Sequence, residues 1–146
     1  MFEFGLEPLL RQRKFVEEAL QKELAAMQAQ FNTREKALRQ LIVSRESCGA
    51  RLRCSGEKGA RIAELKLYSE YSKRLSIEVY EMEQALSRLA ANLATKRNAV
   101  VEAMRGRKIL ENLKERGLRA YRHRARKREM KLADEIAINL FNRKRT

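Results

Sequence analysis

The sequence predicts an all-α protein: two long helices forming an antiparallel coiled-coil hairpin, the second helix about twice the length of the first. Three observations predict it. The 146 residues contain no Trp, one Pro and six Gly, and 36% of them are charged. Chains rich in Ala, Glu, Lys, Leu and Arg with few breakers form long helices, and a coiled coil hides so narrow an apolar stripe that it tolerates this much charge. Apolar residues recur with a heptad period in two stretches, and a single Gly-rich break divides them. A packed bundle is the competing arrangement of the same helices.

The first helix is expected over about 6–48. Pro8 suits its first turn, where a missing N–H costs nothing. The apolar series runs Leu10, Leu20, Leu24, Met27, Phe31, Leu38, Leu41, Cys48, and Arg13, Glu17, Arg34 and Arg45 occupy the seam positions it skips. Gly49, Gly56 and Gly59 then mark a turn over about 49–59. The second helix is expected over about 60–142, all within one coiled-coil domain spanning 1–146. Its seam reads Leu65, Tyr68, Ser72, Leu75, Val79, Met82, Leu86, Leu89, Leu93, Lys96, Val100, Ala103, Arg107, Leu110, with eleven of fourteen positions apolar or aromatic. A strict heptad held this long implies a left-handed supercoil with a partner helix.

Folding about Gly56 sets Leu20 against Leu93, Leu24 against Leu89, Met27 against Leu86 and Leu38 against Leu75. The same register sets Glu17 against Lys96, two opposite charges in one seam, and polar seam residues of this kind select register. Helix 1 is then exhausted opposite about position 103, so a basic overhang is expected from about 104. Charge gathers in that overhang. Of a net +14, residues 1–47 carry 8 basic against 7 acidic side chains, 48–104 carry 10 against 7, and 105–146 carry 15 against 5. Such a segment meets something anionic.

Chemistry-bearing constellations are absent from the sequence. There is no Gly-rich phosphate loop, no catalytic triad and no metal-ligand spacing, so no enzyme activity, cofactor or metal is expected. Cys48 and Cys54 read as reduced structural thiols, and His123 lies among arginines as a surface residue. No signal peptide and no span of about 18 apolar residues is visible, which points to a cytoplasmic protein. Two further readings stay open: non-specific nucleic-acid binding through the run 119–128, and a purely structural coiled-coil homodimer. Leucine-zipper regulators place the basic segment before a parallel seam, whereas here it follows the seam.

Both ends of the chain resemble one family. Phe2-x-Phe4-x-Leu6-x-x-x-Leu10-Arg11-x-Arg13 is similar to the opening of the flagellar export protein FliJ family. Leu110-Glu111-x-Leu113-x-Glu115-Arg116-x-x-x-Ala120-Tyr121, followed by Arg128-Glu129-Met130-Lys131 and Ala133-Asp134-Glu135-Ile136-Ala137, is similar to its closing segment. The resemblance implies a non-enzymatic component of the bacterial flagellar type III export apparatus, similar to the γ stalk of rotary ATP synthases. It implies binding to the export ATPase FliI hexamer, promotion of its activity, and links to the export gate FlhA, to FliH and to late-substrate chaperones. The expected location is cytoplasmic, peripheral at the inner membrane. Carried onto this sequence, the contact with the ATPase ring falls on Arg11, Arg13, Lys14, Arg119, Arg122, Arg124, Arg126, Lys127 and Arg128. The contact with the gate falls on Tyr68, Tyr71 and Leu75, of which Tyr68 and Leu75 are also seam residues.

Overall fold

The computed structural model describes residues 1–59 and 61–145. It contains two helices, α1 over Glu7–Glu57 (51 residues) and α2 over Ile62–Arg143 (82 residues), and no strand among the described residues. The chain divides into two compact units. One comprises Met1–Glu18 with Val101–Thr146, the other Ala19–Val100. Each unit pairs a stretch of α1 with a stretch of α2. In both, earlier residues of α1 meet later residues of α2: Glu7 meets Lys114 and Glu17 meets Arg107 in the first, Glu23 meets Lys96 and Cys48 meets Tyr68 in the second. The pairing is therefore antiparallel, and the fold is the all-α coiled-coil hairpin that the heptads predict.

The seam follows the sequence pattern closely. All fourteen predicted positions of α2, from Leu65 to Leu110, are buried or half-buried. Leu75, Val79, Leu86, Leu89, Leu93 and Val100 are the most enclosed of those in the Ala19–Val100 unit. Fully burying an aliphatic side chain of this kind contributes about 1.5–3 kcal/mol, and here the contribution comes from one stripe per helix.

Helix α1 does not end near 48. It continues through Gly49 and Gly56 to Glu57, and the turn is confined to the residues between Glu57 and Ile62. Position 60, the expected start of the second helix, lies outside the described residues. Two glycines cost a helix only about 1 kcal/mol each relative to Ala. Between them lie Arg51, Leu52 and Arg53, and Leu52 and Ser55 extend the half-buried series beyond Cys48. Continued pairing outweighs the glycine cost. The glycine that does stop the helix is Gly59, at φ 71°. Its N–H donates to the Gly56 carbonyl at 3.4 Å, while the Lys58 N–H donates to Cys54 at 3.2 Å. Only glycine takes a left-handed φ without penalty, which suits it to close a helix.

The expected register is also corrected. Lys96 meets Glu23, its Nζ 2.6 Å from the carboxylate, and not Glu17. Nearby, Arg97 donates to Gln28 at 2.8 Å. Relative to the sequence-based pairing, α2 meets α1 about one heptad further along. Glu17, buried at 6% exposure, is answered by Arg107 instead. A heptad slip keeps apolar residues opposite apolar ones, so the apolar pattern alone does not choose between the two alignments.

The different roles of the glycines make a stability prediction. Gly49→Ala is expected to raise unfolding stability by roughly 0.5–1 kcal/mol, because a Cβ there meets nothing within 4 Å. Gly59→Ala is expected to lower it by about 1–2 kcal/mol. Urea titration followed by helical circular dichroism checks both signs.

Candidate functional site

The unit formed by Met1–Glu18 and Val101–Thr146 holds an ion-paired neck followed by an exposed basic helix. The neck is built around Arg107. Its guanidinium bonds Glu17 through Nε and Glu111 through Nη1, the latter at 2.7 Å. A planar guanidinium can serve two carboxylates at once, which an ammonium does less well. Lys14 adds a second cation to Glu111 at 3.6 Å. One turn further along α2, Lys114 donates to Glu7 at 2.7 Å.

These bonds set the charge states of the neck. The Lys114 hydrogen bond, helped by Arg11 and Lys14, holds the Glu7 carboxyl below its ordinary 4.5. Glu111 is lowered in the same direction, first by its bond to Arg107. Arg107 is raised by its bonds to Glu17 and then Glu111, so its guanidinium stays charged.

Beyond the neck, the segment before α1 continues to cover α2. The Phe2 ring stacks at 47° on Tyr121, centroids 5.8 Å apart. It also lies so close to Gly117 that a Cβ there would come within 3.0 Å of the ring. Gly117 is therefore a close-approach glycine, and the cover on α2 reaches Tyr121. The basic overhang begins at about 122 and not at 104, because the pairing is a heptad further along and residues 1–6 add reach without being helical. From Arg119 to Arg145 every residue except Ala125 is exposed. The helix persists to Arg143, so its uncovered part is about 33 Å long at 1.5 Å per residue.

The nine basic residues expected at the ATPase contact all fall in this unit, but they do not form one equivalent group. Lys14 is paired with Glu111, Arg119 with Glu115, and the Arg13 side chain lies along Gly106. Arg11 is exposed beside Glu7, whose carboxyl it helps to lower. Arg122, Arg124, Arg126, Lys127 and Arg128 are exposed and form no ion pair among the described residues. Those five are the cations of the uncovered helix among the nine.

In the Ala19–Val100 unit, the three residues expected at the gate contact also separate. Leu75 is buried in the seam at 3% exposure. Tyr68 is half-buried, and its carbonyl accepts a bond from the Cys48 thiol at 3.4 Å. Tyr71 is 49% exposed, off the seam. It borders a shallow groove with Val43, Ser47 and Arg51. Those three recur every four residues of α1, a spacing that marks one helix face, and the sequence reading passed over them. Cys54 is exposed, and both cysteines are free thiols.

A paired two-helix core with an exposed basic helix in one unit and a tyrosine-lined groove in the other defines a coiled-coil protein. Comparison with known families identifies which: the family described as "Flagellar FliJ protein" matches residues 2–146, and the chain belongs to it. It is a flagellar export component. No curated protein and no solved structure matches it significantly. No helix among the described residues is long and apolar enough to cross a membrane.

The lowered carboxyls give the neck an acid sensitivity. A carboxylate with a depressed folded pKa contributes stability that is complete above its unfolded value and lost as pH falls through the folded one. The contribution of Glu7 and Glu111 should therefore disappear below pH 4.5. Thermal midpoints measured from neutral pH downward should fall less steeply below that point in Glu7→Gln than in the parent chain.

Proposed function

We propose that this protein is a non-enzymatic central-stalk component of flagellar export whose uncovered basic helix engages the hexameric export ATPase FliI and promotes its activity. The observation that carries the reading is the helix from 122 onward, where five cations form no ion pair among the described residues and spread around most of the helix. At 100° per residue, Arg122, Arg124, Arg126, Lys127 and Arg128 span about two thirds of the circumference and leave a gap of about 120° around Ala125. Charge spread this widely suits a host that encloses the helix, as a ring does, better than a host that touches one face. A single asymmetric helix within a ring of six addresses only some subunits at a time, which suits sequential turnover.

In the same reading Tyr71 and its groove form the contact with the gate protein FlhA. Tyr68 and Leu75 act by holding the seam beneath it. FliH and late-substrate chaperones are further partners of the assembly, which works at the cytoplasmic face of the inner membrane.

Two measurements test these assignments. Replacing Arg122, Arg124 and Arg126 with Glu should lower stimulation of the ATPase at least tenfold, since each reversal near an anionic surface is worth about 1 kcal/mol or more. Unchanged stimulation would overturn the ATPase assignment. Tyr71→Ala should weaken capture of the FlhA cytoplasmic domain while leaving helical content intact, and capture at the parental level would remove Tyr71 from the contact.

A further inference from the structure

We propose that residues 119–143 of α2 also form a docking site for an anionic phospholipid surface, with the arginines at lipid phosphates and the apolar end of the helix in the headgroup boundary. The segment has two halves. Residues 119–131 carry seven Lys and Arg against Glu129 as the one acidic residue. The following turns leave Met130, Leu132, Ile136, Ile138, Leu140 and Phe141 exposed at 67%, 59%, 52%, 59%, 55% and 61%. A cationic cluster joined to an exposed apolar helix face is the composition that binds anionic bilayers reversibly.

The placement around the helix is what commits the argument to a lipid layer. Steps of three and four residues put Arg119, Arg122 and Arg126 on the same face as Ala133, Ile136 and Leu140. One continuous strip therefore changes from phosphate-binding to apolar along its length, interrupted only by Glu129. Asp134 and Glu135 lie away from that strip, where they stay in water when it is seated. The apolar residues from Met130 to Phe141 spread over about two thirds of the circumference. That is wider than the seam a single partner helix would cover, and it fits a fluid layer. A second copy of this chain would bring a like-charged cluster to the same place. A nucleic acid would satisfy the arginines and leave six large apolar side chains in water.

The proposal does not depend on the ATPase contact, and its test contains no ATPase. The full chain is sedimented with vesicles of phosphatidylethanolamine and phosphatidylglycerol, and with vesicles of phosphatidylcholine alone, at about 0.15 M salt, where the screening length is about 8 Å. Binding is expected to the anionic vesicles and not to the neutral ones. Arg122→Glu with Arg126→Glu should lower the partition coefficient at least tenfold, and Ile136→Ser with Leu140→Ser should lower it by a similar factor. These positions are exposed, so both variants should keep parental helicity. Absence of binding to the anionic vesicles overturns the proposal. So does binding that the Ile136/Leu140 variant leaves unchanged, which would reduce the contact to charge alone. Retention on duplex DNA without vesicle binding would assign the helix to nucleic acid and overturn it equally.

Discussion

The buried carboxylate of Glu17 constrains the unit formed by the chain's two ends. An acid at 6% exposure in an apolar seam must find a cation or destabilise the pairing. Arg107 answers it, and the fork of that guanidinium binds Glu111 at the same time. Antiparallel helices with a heptad repeat can slide by seven residues and keep their apolar contacts, so dispersion and burial leave the alignments nearly equal. Charge separates them. Once Glu17 is matched to Arg107, Glu7 lies where Lys114 can reach it, and Phe2 lies over Gly117 and Tyr121. The point at which α2 loses its cover follows from the same match.

That point divides α2 into parts with different physical roles. Up to Tyr121 the helix is held by a partner, and Arg107, Glu111 and Lys114 are spent on ion pairs. Beyond it Arg122, Arg124, Arg126, Lys127 and Arg128 form no ion pair among the described residues, and the large apolar side chains from Met130 to Phe141 are more than half exposed. The residues that pack the seam and the residues of the proposed contact are thus different. The seam can tolerate conservative exchange without altering the exposed surface, and reversal of the exposed arginines can alter that surface without disturbing the seam. The three residues proposed for the gate contact show the same separation on a smaller scale. Tyr68 and Leu75 are spent on packing, and Tyr71, three residues from Tyr68, remains outside.

Much of the fold was legible because helical periodicity is a local property. The seam of α2 could be read from Leu65 to Leu110 without error in position, and Tyr71 could be placed off it by spacing alone. The glycines were less legible. Gly49, Gly56 and Gly59 look alike in sequence, yet only Gly59 takes a left-handed φ, and the other two remain within the helix because their neighbours continue to pair. Gly106 and Gly117 read as equal weaknesses, whereas Gly117 admits the Phe2 ring. Among the basic residues, Lys14 and Arg119 could not be told from Arg122 and Arg124 until their partners Glu111 and Glu115 were in place.

The sequence by itself determined that the chain makes two long helices, which face of each is buried, that the break between them belongs to the Gly-rich stretch from Gly49 to Gly59, and that positive charge gathers at the C-terminal end. Each of these follows from residues close together in the chain, where a 3.6-residue turn and a heptad repeat translate directly into geometry. Only the tertiary structure decided which residue of α2 meets Glu17, how far the N-terminal segment reaches along the second helix, and therefore that the free helix begins at about 122. Those are properties of two segments nearly a hundred residues apart in the chain. Their alignment is chosen among near-equal alternatives by the buried Glu17 and a few partly exposed ion pairs, and periodicity alone cannot rank them.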